Sequence, residues 1–133
     1  MKYLTLLLLL LLPTPADAQT AIPYHFLSAA TTNANVVVAG TRVVDSILAV
    51  NTVAAIYYLK LYDKATAPVC NTDPVVYTAP VPFAAGSAGG GVFLPFPNGL
   101  RFQNGVAFCL TGGLADNDNT NAVVGVVISF GIK

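Results

Sequence analysis

The sequence contains no glutamate and no tryptophan, a single histidine, one methionine and two cysteines. Each scarcity removes a class of chemistry. Paired glutamates for glycoside hydrolysis are missing, and nothing around the aspartates selects two of them to replace that pair. With His25 alone, one subunit cannot build a metal site from several imidazoles. A Ser-His-Asp triad would have to use this residue, which stands in a strand-like run with no nucleophile motif beside it. GxSxG and HExxH are also missing, and Cys70 and Cys109 lack the CxxC spacing of a redox or zinc site. The chain is therefore expected to be non-enzymatic and to need no cofactor.

Charge is equally scarce: 9% of residues are charged and the formal net charge is +0. Lys2, Arg42, Lys60, Lys64, Arg101 and Lys133 are scattered through the chain. Nucleic acid is excluded as an expected partner, because displacing counterions from phosphates needs clustered Lys or Arg. So little charge gives weak protection against association. Self-association, or contact with other surface proteins, follows naturally.

What is present is 55% hydrophobic residues with 11 Gly and 9 Pro, rich in Val, Ala, Thr and Asn. This mixture suits short strands and turns and suits long amphipathic helices poorly. The length of 133 residues has room for one domain with a real core.

The first residues stand apart. MKYLTLLLLLLLPTPADAQ has one Lys, an apolar run from Tyr3 to Leu12, a break at Pro13 and small residues at Ala16 and Ala18. That order predicts a secretory signal peptide over 1–18, cleaved between Ala18 and Gln19, followed by a β-domain over 19–133. A hydrophobic N-terminal arm packed in an assembly is the alternative. The apolar run is well short of the roughly 20 residues of a membrane span, so no stable span is expected. Export would place Cys70 and Cys109 in an oxidising compartment, where one bridge between them could contribute roughly 3 to 4 kcal/mol. In a reducing cytoplasm both would be free thiols in or near the core.

From Gln19 onward, turn signals recur at the rhythm of a sandwich or barrel. In AVVGVVISFGIK, Val124, Val126, Ile128, Phe130 and Ile132 share one face; in GVAFCLT, Val106, Phe108 and Leu110 do. Period-two alternation means one buried side, and it turns Cys109 away from the main apolar row. Tyr24 to Ser28, Asn35 to Val38, Arg42 to Val50, Ala54 to Tyr62, Val75 to Thr78 and Gly91 to Phe96 are the other predicted strands. Reversals are placed at Gly40, Asn51-Thr52, Asp73-Pro74, Asn98-Gly99 and Asn104-Gly105. The fold class is all-β: a single antiparallel β-sandwich of about eight strands. Jelly-roll-like and immunoglobulin-like orders both fit, the former slightly better.

YYLKLYDKATAP, Tyr57 to Pro68, is the most chemically crowded run. Tyr57, Leu59 and Leu61 take one face, which puts Lys60 on an exposed or semi-exposed face with its stem beside Tyr58 and Tyr62. A lysine nucleophile would need a depressed pKa and a pocket, and the sequence signals neither.

The runs SAATTNANVVVAG (Ser28 to Gly40), AVNTVAAIYYLKLYDKATAPVCNTDPVV (Ala49 to Val76) and GLRFQNGVAFCLTGGLADNDNT (Gly99 to Thr120) carry a family likeness. In that order they resemble a family of small all-β proteins encoded among the structural genes of tailed bacteriophages and prophages. The resemblance implies a virion-associated part, such as a head decoration or fibre-associated protein, with no catalytic residues to carry over. The signal-like leader and the two cysteines depart from the family pattern and point toward a secreted relative on the same scaffold.

Two motifs invite ligands and are read as structure. GSAGGG, Gly86 to Gly91, lacks the Lys and Ser or Thr of a phosphate-binding P-loop, since Val92 and Phe93 follow it. It reads as a flexible loop, with Gly86, Gly89, Gly90 and Gly91 able to admit a neighbouring subunit's backbone. ADNDNTN, Ala115 to Asn121, offers Asp116, Asp118 and Thr120 as alternating oxygen ligands. It has Asn121 and Val127 where a calcium loop demands Gly and Glu, so a hairpin loop is preferred to a weak calcium site.

The expected function is that of a phage-type virion structural or decoration protein acting through assembly contacts, outside the cell, on a particle or secreted. Tyr58, Tyr62 and the glycine run are its predicted contact elements. The alternative is a secreted carbohydrate-binding sandwich whose tyrosines stack on sugar rings, which requires exposed aromatics in a row.

Overall fold

The computed structural model describes residues 22–84, 89–122 and 124–133. The leader, its Ala18-Gln19 cleavage site and Gly86 lie outside the described residues. Eight strands follow in chain order: β1 (Ile22–Leu27), β2 (Asn35–Ala39), β3 (Arg42–Asn51), β4 (Tyr57–Asp63), β5 (Tyr77–Val81), β6 (Gly90–Phe102), β7 (Gly105–Thr111) and β8 (Val126–Ile132). They form two four-stranded antiparallel sheets, β1-β8-β3-β6 and β2-β7-β4-β5.

The pairing is nested. β4 pairs with β5, β3 with β6, β2 with β7 and β1 with β8. A chain whose two halves pair outward from the β4–β5 connection and then roll into two sheets is a jelly roll, so the strand order settles the topology in its favour. Period-two alternation drives the stacking. Val126, Ile128, Phe130 and Ile132 of β8 face Val106, Phe108 and Leu110 of β7 in one buried cluster. Val124, expected to extend this row, lies before β8 and is exposed.

Rings stitch the layers where the edge strand β1 is thin. Phe108 of β7 lies 4.9 Å from Phe26 and 6.5 Å from Tyr24, edge to face, and 5.6 Å from Phe130. Such contacts add to the burial of the rings themselves.

Two predicted reversals behave differently from expectation. Asn98-Gly99 lies inside β6: the register jumps from Ser46↔Pro95 to Val44↔Leu100, so the strand extrudes residues opposite Asp45 and then resumes pairing. The bulge at Asp45 also shifts the parity of β3, which is why Val44 and Ile47 both point inward. Asn104-Gly105 joins β6 to β7, strands of different sheets, so it turns a corner of the sandwich where a hairpin was expected.

Asp63, at the end of β4, holds that corner. Its carboxylate accepts from the backbone N–H groups of Gln103 (3.0 Å), Asn104 (2.6 Å) and Gly105 (3.2 Å). Desolvation pushes its pKa up, and the bonds from Asn104, Gln103 and Gly105 more than offset this and hold it below the ordinary carboxylate range. A depressed folded pKa contributes stability that is present above the unfolded value, about 3.9, and is lost as pH falls through the folded one. Asp63→Asn should therefore lower stability at neutral pH, and its gap from the parent should close in acid. Urea unfolding at about pH 7 and about pH 3 checks this; an unchanged gap would mean that Asp63 contributes through packing alone.

Candidate functional site

The two outer faces of the sandwich differ. On the second sheet, outward residues of β4 and β7 are covered by loops. Cys109 of β7 is disulfide-bonded to Cys70 in the β4–β5 connection, with the Cα atoms 6.0 Å apart. Tyr62 is fully buried beneath this connection with Cys70, Ala107 and Cys109, and its hydroxyl donates to the Cys70 carbonyl at 3.1 Å. Burial, with Asp116 and Asp73 nearby, pushes the phenol up to about 12. Lys64 pairs with Asp73, whose carboxylate also accepts from the Val69 N–H, and this closes the loop on itself. The predicted contact role of Tyr62 is thus corrected: the side chain works inside the fold.

Lys60 is corrected in the same way. It is 0% exposed, and its ammonium donates to the carbonyls of Ala115 and Asp118. Burial pulls its pKa down, while the charges of Asp118 and Asp116 raise it. The cation pins the β7–β8 loop over the sheet through backbone oxygens. The Asp118 carboxylate accepts from the Gly113 N–H (3.0 Å), the Thr120 N–H (3.1 Å) and the Thr120 hydroxyl (2.7 Å). Asp118 and Thr120 are therefore brought together by a turn of the chain's own making. Among the described residues, no three His, Cys, Asp or Glu side chains gather to hold a metal.

Gly90 and Gly91 open β6, and Gly89 directly precedes it. A Cβ at Gly90 would stand 2.6 Å from the Phe83 carbonyl carbon and 2.7 Å from the Ala84 nitrogen, so the segment before β6 already occupies the space. The close approach expected from a neighbouring subunit is, at Gly90, made by the chain's own backbone.

Among the described residues, no loop covers the outer face of the first sheet. Its register places Leu48 of β3 beside Phe93 of β6 and Ser129 of β8, with His25 of β1 beyond Ser129. On one side of this central row, Val50 lies between Gly91 and Val127, and Val127 meets Leu27. On the other side, Ser46 lies between Pro95 and Gly131, and Gly131 meets Pro23. Phe93 is 62% exposed, Leu27 59% and Leu48 45%. The ionisable side chain within these rows is His25, whose Nδ1 lies 3.4 Å from the Ser129 hydroxyl. An ion pair between Asp45 and Lys133, at 3.3 Å, borders the face at its Gly131 end. Exposed apolar side chains grouped in this way make the face the candidate interaction surface.

Sequence reasoning passed over these residues, although a signal was present. In RVVDSILAVN, Ile47 and Ala49 are buried while Leu48 and Val50 are exposed, so the strand is apolar on both sides. A strand apolar on both faces expects cover on both. The tyrosines among the described residues, by contrast, form no exposed row. Tyr57 and Tyr62 are buried, Tyr24 and Tyr77 pack against the core, and Tyr58 is half-buried.

No helix among the described residues is long and apolar enough to cross a membrane. No protein-family model matches the chain, and neither a curated protein nor a solved structure matches it.

Proposed function

We propose that the protein is a non-enzymatic structural component of a phage-type particle, attached through the bare face of its first sheet. The single observation that carries this reading is the asymmetry of the sandwich. One outer face is roofed, cross-linked and pinned by a buried lysine, while the other exposes Leu27, Leu48, Val50 and Phe93 with no cover among the described residues. A face left apolar on an otherwise well-sealed sandwich is best explained by a partner that covers it. The resemblance of the three quoted runs to structural proteins of tailed phages supplies the kind of partner. The disulfide suits a particle or secreted protein that meets an oxidising environment. The sugar-binding alternative loses its main support, since it needs exposed tyrosines in a row and, among the described residues, only Tyr58 turns partly away from the core.

Leu48→Lys and Phe93→Lys test this reading, because both positions point to solvent and should change fold stability by less than about 0.5 kcal/mol. The parent protein should co-sediment with particles pelleted from its native source, and both variants should stay in the supernatant. Leu114→Lys, at an exposed position in the loop over the opposite sheet, should sediment like the parent. Parent protein found only in the soluble fraction, or Phe93→Lys sedimenting normally, would overturn the reading.

A further inference from the structure

Asparagine precedes glycine twice in the chain, at Asn98-Gly99 and Asn104-Gly105; every other asparagine is followed by a residue with a Cβ. The difference is chemical. With no Cβ in the way, the glycine's backbone nitrogen can reach the asparagine's side-chain amide carbon and close a cyclic imide. In an unfolded chain the two dipeptides are equivalent. The fold separates them.

Asn104-Gly105 is locked at the corner between β6 and β7. The Asn104 N–H donates to the Asp63 carboxylate at 2.6 Å, and the Gly105 N–H, whose nitrogen would be the nucleophile, donates to it at 3.2 Å. The Asn104 side chain also bonds to Asp63. The Asn104 carbonyl accepts from the Gly40 N–H at 2.7 Å, and the Gly105 carbonyl accepts from the Lys64 N–H at 3.0 Å. A nitrogen whose proton is held by a carboxylate resists deprotonation, and a peptide bonded on both sides cannot turn toward its side chain without local opening.

Asn98-Gly99 sits in the extruded part of β6. Pro95 pairs with Ser46 and Leu100 with Val44, so Phe96, Pro97, Asn98 and Gly99 stand against Asp45 and have no register partner on β3. Asn98 is exposed. Gly99 adopts a φ of 70°, and a Cβ there would run into Val43 Cγ1. The bulge therefore demands glycine after Asn98, and with it the dipeptide most open to ring closure.

We infer that Asn98 is a site of spontaneous covalent modification, passing through a cyclic imide to aspartate and isoaspartate, while the Asp63 corner protects Asn104. The Gly99 nitrogen gives its proton to hydroxide, and its electron pair forms a bond to Asn98 Cγ. The Cγ–Nδ2 bond breaks, and the departing nitrogen takes a proton from water and leaves as ammonia. Water then opens the imide. Cleavage of the new Cγ–N bond leaves an aspartate on the ordinary backbone; cleavage between the Gly99 nitrogen and the main-chain carbonyl carbon leaves isoaspartate, with the backbone running through Cβ. Either product has exchanged ammonia for water and gained a negative charge. That charge arises opposite Asp45, which pairs with Lys133 at the border of the exposed apolar face. The reaction does not depend on what that face binds.

The test is to hold the purified full chain, as its expression host processes it, in mildly alkaline buffer at physiological temperature and to map its peptides by mass. Electron-transfer fragmentation tells isoaspartate from aspartate. Asn98 should convert at least about 10-fold faster than Asn104, because Asn104 must first break a charge-assisted bond. In synthetic peptides spanning 95–102 and 101–108, the two rates should converge. Asp63→Asn, shown by circular dichroism to be folded, should speed conversion at Asn104 and leave Asn98 unchanged. Asn98→Gln, whose longer side chain disfavours the ring, should remove the acidic species that ion exchange resolves from the aged parent. Asn98 intact in the folded chain while its peptide converts, or equal conversion at both sites of the folded parent, would overturn the inference. An unchanged Asn104 rate in Asp63→Asn would overturn the protecting role of the corner.

Discussion

Phe108→Ala is expected to lower the stability of the domain by about 3 to 5 kcal/mol, the largest effect of any single truncation in the core. Phe108 is fully buried in β7, and its ring touches Phe26 and Tyr24 of β1 and Phe130 of β8. β1 is an edge strand, hydrogen-bonded on one side to β8 alone, and its two inward rings are only partly buried. Truncating Phe108 removes the surface on which they rest. A domain of this size has a total stability of about 5 to 15 kcal/mol, so the variant should be marginal. Guanidinium unfolding should show a lower midpoint with an unchanged slope, and Phe108→Leu should recover most of the loss. A loss below about 1 kcal/mol would mean that the layers are held elsewhere.

Replacing Cys70 and Cys109 together by serine is expected to cost about 3 to 4 kcal/mol, from the entropy released to an unfolded chain no longer closed across a sequence separation of 39. The effect should also be local. Without the bridge, the β4–β5 connection keeps the Lys64–Asp73 pair, the Val69 turn and the Tyr62 hydroxyl bond, with backbone bonds from Lys64 to Gly105 and from Val76 to Leu61 at its two ends. Limited proteolysis should therefore cut between residues 64 and 76 in the double variant well below its unfolding midpoint, and spare the parent there. The parent's intact mass without reductant should be lower by two hydrogens. Equal cleavage of parent and variant would mean that the loop's own bonds suffice to hold it.

The two predictions probe different parts of the molecule: one the contact between layers, the other the cover over one layer. That cover shapes the proposed function, because it leaves the opposite face as the exposed apolar one. The disulfide, the buried Lys60 and the Asp118 turn all act on the second sheet, while Leu48 and Phe93 stay exposed on the first.

Alternation in AVVGVVISFGIK and GVAFCLT determined by itself that these runs are strands with one buried side, because side chains on a pleated backbone point alternately to opposite faces. The same reasoning placed Cys109 on the outer side, where it meets Cys70. Eight strands and an all-β sandwich were legible in the spacing of turn residues. Strand partners were not, since every strand satisfies its own ladder with any neighbour of matching pattern. Only the tertiary structure decided the nested order of the jelly roll. It also decided the fate of outward residues. Alternation tells that Lys60 and Tyr62 point away from the main core, yet it carries no information about a distant loop folding over them. Long-range contacts from Cys70, Ala115 and Asp118 bury both. Leu48 and Phe93 point outward by the same rule, and with no loop of the described residues above them they remain exposed. Local pattern sets which way a side chain points; the path of the whole chain sets what it meets there.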